Sequence, residues 1–318
     1  MANYLVTGGA GFIGSNIVEV LLARGEHVRV LDNFSTGKRE NLAPFMDRLE
    51  LVEGDLRDEA VCRRAVADID YVLHQAAMAS VPRSIAEPVM TSEVNVMGTI
   101  KLLSAAAGAG VRRLVYAASS SAYGDQPIPA KVETLSPMPL SPYASAKLAC
   151  EYFCQAFSQS MGLDTVCLRY FNVFGPRQDP ASQYSAVIPL FVTAVIEGRA
   201  PTIYGDGTQT RDFTFVENNV RANILAATAA GPLGGRAINI ACGGAYSLLD
   251  LLRAINETLG KRVEPNFEPR RAGDVMHSLA DIALARERLG YEVFVDFAEG
   301  MRRTIEWYRA HSRAWTAK

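Results

Sequence analysis

The stretch Thr7-Gly8-Gly9-Ala10-Gly11-Phe12-Ile13-Gly14-Ser15 constrains this chain more than any other, because it joins two hydrophobic periodicities through glycines at fixed spacing. Residues 3–7 before it are apolar enough for a buried strand, and apolar positions recur at helical spacing over 15–23 after it. In a strand-to-helix turn of this kind the glycines have separate work. Gly8 permits the tight turn, Gly11 lets the backbone approach a phosphate, and Gly14 lets helix and strand pack closely. The helix start adds N–H groups without intrahelical acceptors, which favour an anion. Asp32 closes a second apolar run about twenty residues further on, where a carboxylate accepts ribose hydroxyls and repels a 2′-phosphate. The pattern predicts a dinucleotide site that favours NAD; Lys38 and Arg39 close by keep NADP open as the minority reading.

Further apolar runs at 27–31, 49–53, 71–75, 113–118 and 165–170 alternate with helical patterns over 59–66, 94–107 and 142–160. That alternation predicts an α/β fold, a doubly wound parallel sheet of the Rossmann type with right-handed crossovers. After residue 173 the pattern changes to Gly- and Pro-rich loops (174–185, 198–210, 231–235), which suits a smaller mixed α/β C-terminal substrate lobe. The expected division is 1–173 for the dinucleotide and 174–318 for the substrate, with the chain able to cross back around 210–243. A length of 318 residues exceeds what one core usually supports, which agrees with two lobes.

Charge and cysteines exclude several classes. Scattered Lys and Arg, 32 against 34 Asp and Glu, form no basic stripe for nucleic acid. No leader pattern and no apolar run of about 18 residues is present, so a cytoplasmic, non-membrane protein is expected. The five cysteines, at 62, 150, 154, 167 and 242, lack metal-ligand spacing and read as buried thiols, with no metal expected.

Tyr143 and Lys147 stand four residues apart just after Ser141-Pro142, a helix start, so both project from one face. An ammonium beside a phenol favours phenolate, as does a cationic nicotinamide, which makes Tyr143 a candidate proton acceptor. Ser119-Ser120-Ser121-Ala122-Tyr123-Gly124, directly after the fifth strand, brings hydroxyls to the same cleft. Gly54-Asp55-Leu56 and His74-Gln75-Ala76-Ala77 fall where loops leave the carboxyl edge of the sheet. Asp55 there suits the adenine edge, whereas His74 reads as a packed residue that orients backbone.

With these residues in place, the whole chain resembles the extended short-chain dehydrogenase/reductases, and within them the UDP-sugar 4-epimerases. Beyond the stretches already quoted, the resemblance rests on Arg169-Tyr170-Phe171-Asn172-Val173-Phe174-Gly175-Pro176 and Arg271-Ala272-Gly273-Asp274. It implies Ser119, Tyr143 and Lys147 as the catalytic triad, with Ser120 or Ser121 sharing the bond to the sugar. To the cofactor it assigns Gly8, Gly11, Phe12, Ile13, Gly14, Asp32, Asn33, Ser35, Thr36, Gly37, Asp55, Leu56, Gln75, Ala76, Ala77, Asn95 and Tyr170, besides Tyr143 and Lys147. Arg211 and Arg271 are implied on the diphosphate, Asp274 on the ribose, Asn172 near the phosphates or sugar and Tyr204 against uracil, with Val187 also on the substrate. Ser80 and Arg83 are implied at the sugar pocket.

Related 4,6-dehydratases carry acidic residues where Ser120 and Ser121 stand, so the resemblance implies the simpler redox cycle that inverts C4 through a 4-keto sugar. Ser278 matches a pocket-wall position that is bulky in enzymes restricted to plain hexoses, which implies UDP-N-acetylglucosamine together with UDP-glucose. The alternatives are a UDP-glucuronate 4-epimerase, with Arg83 or a serine of the 119–121 run on the carboxylate, and an NAD-binding scaffold or sensor without chemistry. The family also implies a homodimer, paired through helices around 94–107 and 145–160.

Overall fold

The computed structural model describes residues 1–180, 187–270 and 276–315, with side chains as far as His311. Arg271 and Asp274 therefore lie outside the described residues.

Seven parallel strands form the central sheet. Six come from the first half: β1 (Asn3–Thr7), β2 (His27–Asp32), β3 (Glu50–Glu53), β4 (Tyr71–His74), β5 (Arg113–Ser119) and β6 (Asp164–Tyr170). Short strands follow, β7 (Val173–Phe174), β8 (Thr202–Tyr204), β9 (Thr210–Arg211) and β10 (Thr214–Phe215), before the seventh sheet strand, β11 (Arg236–Ile240). The spatial order is β11-β6-β5-β4-β1-β2-β3, so the strand order reverses between β1 and β4. At such a switch point the loops diverge and open a crevice at the carboxyl edge. Every strand predicted in the first half is present to within one residue at either end.

Helices α1 (Phe12–Ala23), α2 (Glu59–Val66), α3 (Val81–Ala86), α4 (Pro88–Ser92), α5 (Gly98–Gly108) and α6 (Pro142–Ser160) accompany the first six strands. Successive strand residues face opposite sides, so Val6 packs into one apolar core while Leu5 packs into the other. One face is covered by α1 and by α8 (Val216–Thr228), the other by α2, α5 and α6. In the second half α7 (Val187–Ile196) and α9 (Leu248–Leu259) pack together. Beside them β12 (Tyr246–Ser247), β9 and β14 (His277–Ser278) form one small sheet, and β13 (Asn266–Glu268) with β8 another. Among the described residues no helix is long and apolar enough to cross a membrane.

Candidate active site

A cleft of about 480 Å³ opens at the β1/β4 switch point. Gly8 has φ +66°, and a Cβ there would stand 2.7 Å from Ala76 Cα on the loop after β4. A Cβ on Gly14 would stand 2.1 Å from Gly8 O, so the turn closes only on glycine. Helix α1 begins at Gly11 without a side-chain cap, which leaves its first-turn amides to face the cleft. Asp32 Oδ2 accepts from Ala10 N–H (2.9 Å) and Oδ1 from Phe34 N–H (2.8 Å). Burial raises this carboxyl above its usual range, against the lowering effect of those N–H groups.

Asp55 accepts from Asn33 Nδ2 (2.8 Å) and from Arg57, whose guanidinium holds its carboxyl down at about 2. Of the residues expected on the cofactor, Gly8, Gly11, Phe12, Ile13, Gly14, Asp32, Asn33, Ser35, Thr36, Gly37, Asp55, Leu56, Gln75, Ala76, Ala77, Tyr143, Lys147 and Tyr170 all line this cleft. Asn95 does not. Its side-chain amide is spent on the main chain of Met78, accepting from N–H (2.7 Å) and donating to O (3.2 Å), so it shapes the wall from behind. Gln75, Tyr170 and Asn223 of α8 close a ring of hydrogen bonds below the cleft (3.0, 2.6 and 3.3 Å).

These residues fit a dinucleotide: uncapped helix amides for a pyrophosphate, a buried carboxylate for a ribose, and a turn too tight for any Cβ. The two cations that kept NADP open are engaged elsewhere. Lys38 pairs with Asp179 (2.7 Å) and Arg39 with Glu53 (2.6 Å), and neither lines the cleft.

Tyr143 and Lys147 sit on the first turns of α6, where Pro142 starts the helix and Ser141 Oγ accepts from Ala144 N–H (3.1 Å). The Tyr143 N–H is held from another element, by Ser84 Oγ on α3 (3.1 Å). Lys147 is buried, donates to Ala117 O (2.8 Å), and is pushed down to about 8, chiefly by that burial. Burial raises the Tyr143 phenol, and a hydrogen bond from Ser119 works against the rise.

Ser119 Oγ accepts from both the N–H (3.2 Å) and the hydroxyl (2.9 Å) of Ser121. That leaves the Ser119 hydroxyl proton for the Tyr143 phenol, whose rise it opposes. The serine run thus resolves into unequal parts, Ser121 orienting Ser119 and Ser119 facing the phenol. His74 is fully packed, bonded to Thr7 (2.7 Å) and Thr99 (2.9 Å), and pushed down to about 3 by burial, so it stays neutral.

A second cavity of about 610 Å³ gathers Asn172, Val187, Tyr204 and Arg211 from four separate segments. Asn172 carries φ +33°, which asparagine tolerates better than most residues, and its Nδ2 donates to Asp212 O (3.2 Å). Ser278 lies on β14 in register with Arg211 on β9 but does not line either cavity. Ser80 Oγ caps α3 through Arg83 N–H (3.1 Å), while Arg83 lines the first cleft and pairs with Glu87 (3.3 Å). Sequence reasoning missed Arg57, Ala117 and Ala118 in the first wall and Thr202 and Gln209 in the second. Arg57 was within reach, standing two residues past Asp55; small alanines at a strand end carry no signal. Among the described residues no group of three metal-ligating side chains occurs.

A family model described as "NAD dependent epimerase/dehydratase family" matches residues 4–241, which span the glycine turn, Tyr143, Lys147 and β11. The chain belongs to that family. A curated relative from Mycolicibacterium smegmatis, "UDP-glucose 4-epimerase", is 40% identical over 314 residues, covering 97% of this chain and 99% of the relative. The solved UDP-N-acetylglucosamine 4-epimerase from Methanobrevibacter ruminantium, in complex with UDP-N-acetylmuramic acid, superimposes with TM-score 0.93 at 40% identity, covering 98% and 99% of the two chains. The Thermus thermophilus UDP-glucose 4-epimerase in complex with NAD gives TM-score 0.87 at 39% identity, covering 96% and 99%. NAD is the cofactor of this epimerase/dehydratase family.

Proposed function

We propose that the chain is an NAD-dependent 4-epimerase of UDP-hexoses that inverts C4 of UDP-N-acetylglucosamine and UDP-glucose. The observation that carries this reading is that Tyr143 and Lys147 both line the cleft that the glycine turn opens, with Ser119 beside the Tyr143 phenol. Held there by the glycine turn and Asp32, NAD would supply the hydride acceptor and donor for C4. Tyr143 Oη takes the proton of the sugar 4-hydroxyl and gives it back after the sugar has turned. Lys147 holds positive charge beside the phenolate, and the Ser119 hydroxyl donates to the same oxygen. Ser120 and Ser121 stand where an elimination would need an acid and a base, so nothing in that run removes water. In the second cavity Arg211 supports diphosphate binding, with Tyr204 against the uracil, Asn172 near the phosphates or sugar, and Val187 in the same wall. From outside the described residues, Arg271 and Asp274 complete the proposed substrate set.

The closing test is an assay of the purified protein with both sugars, reading the C4 epimers by proton NMR. Turnover of both is expected, and turnover of neither overturns the reading. Ser278 is the strand neighbour of Arg211, which lines the second cavity, so Ser278→Tyr is expected to lower turnover of the acetylated sugar more than that of UDP-glucose.

The protein further acts, on this reading, as a cytoplasmic homodimer. Val89, Met97, Tyr152 and Phe153 expose apolar side chains along α4–α6 and the turn that joins α4 to α5, which supports pairing with a second copy. Five free thiols suit a reducing compartment.

A further inference from the structure

Lys147 keeps its ammonium in a setting that lacks the usual partner for a buried cation. It is 4% exposed and forms no salt bridge among the described residues. The acid one turn along, Glu151, is committed to Arg169 through two hydrogen bonds (2.9 and 2.7 Å). What faces the ammonium is the Ala117 carbonyl at 2.8 Å and the ring of Tyr116 on β5, its centroid 4.9 Å from Nζ. Other titratable groups nearby are Tyr143, Cys150, Glu151 and Cys154 on α6, Cys167 on β6 and His74 on β4. Burial keeps the Cys150 and Cys167 thiols protonated and His74 uncharged.

We propose that Tyr116 is a positioning residue of the proton-transfer site, its ring face holding the Lys147 ammonium in place of a carboxylate. The inference rests on Tyr143 and Lys147 being the proton-transfer pair. An aromatic face attracts a cation through its quadrupole without adding net charge. A carboxylate in the same place would cancel the field of the ammonium at Tyr143 and would compete for the proton. The ring does neither. Its hydroxyl is buried near the Cys150 thiol without a hydrogen bond among the described residues, so the ring face carries the role.

The test uses the full-length protein with NAD, as Tyr116→Phe, Tyr116→Leu and Tyr116 replaced by a series of increasingly fluorinated phenylalanines, which weaken the ring face at nearly constant shape. Two readouts are taken. One is the alkaline limb of kcat. The other is the titration of the Lys147 ammonium, followed by NMR of isotopically labelled lysine side chains and assigned through a Lys147→Arg counterpart.

Tyr116→Phe is expected to superimpose on the parent in both. Tyr116→Leu is expected to move both the alkaline limb and the Lys147 titration down by about half a pH unit to one unit. Graded shifts in the same direction are expected along the fluorinated series, which also decides the matter if the leucine variant fails to fold. Unmoved limbs in folded variants, or a Tyr116→Phe shift as large as that of Tyr116→Leu, would overturn the proposal. If the parent turned over neither sugar the epimerase reading would fall, yet the titration would still decide the role of the ring.

Discussion

At Tyr143 two effects oppose each other: burial raises the phenol, and the donated hydrogen bond of Ser119 lowers it. The spacing of Tyr143 and Lys147 predicts an ammonium-driven phenolate, but the same burial that raises the phenol also depresses the lysine to about 8. The sign for activity follows directly. Chemistry that needs the ammonium is available below about 8 and is lost as pH rises through that value and Lys147 releases its proton. An alkaline limb of kcat near that pH, measured with cofactor and UDP-glucose in excess, is the expected result. Tyr143→Phe removes the only proposed proton acceptor without changing the ring, and kcat is expected to fall by roughly 10²–10⁴-fold with KM nearly unchanged. Steady-state assays of the parent and the variant check this. Both residues were legible from their spacing. The balance of pKa effects was not, because desolvation depends on neighbours that the local sequence does not name.

Helix α6 shows how one element aims the chemistry. Its start was readable, since serine caps and proline at the first position are local signals, and the described cap agrees. Its anchorage was not readable. One turn past Lys147, Glu151 pairs with Arg169 on β6 (2.7 Å), with both side chains buried, while the guanidinium also lies over the Tyr123 ring at 4.6 Å. Tyr123 in turn donates to Asn239 on β11 (2.7 Å). Helix α6, the serine segment and the last sheet strand are thereby held in one arrangement. Glu151→Ala would strand a buried arginine, at an expected cost of about 3–5 kcal/mol in stability by denaturant titration. A loss under about 1 kcal/mol would mean that water or another group compensates Arg169.

For the whole molecule, the decisive feature is that the sheet is completed from the second half of the chain. Strand β11 pairs along all of its five residues with β6, and α8 covers the sheet face that α1 shares. Asn223 of α8 also reaches the ring below the cofactor cleft, so residues beyond 173 help to shape the first lobe. A fragment ending at residue 173 would leave β6 as an open edge and strip from the α1 side of the sheet the part that α8 covers. It is expected to lack a cooperative thermal transition by circular dichroism, and a fragment that melted cooperatively would show the first half to be self-sufficient.

Sequence by itself determined the sheet strands of the first half, the glycine turn, the Tyr143–Lys147 pairing and the preference for NAD, because each depends on period or spacing within a few residues. Tertiary structure alone decided the rest. It sorted Ser119 from Ser121, drew Asn95 behind the wall, occupied Lys38 and Arg39 with distant acids, and set the Lys147 ammonium against an aromatic face. Apart from the local bond between Ser121 and Ser119, each of those outcomes turns on contacts between separate segments of the chain. Short-range pattern fixes which elements form; which side chains share a dielectric and a hydrogen bond is settled only when those elements meet.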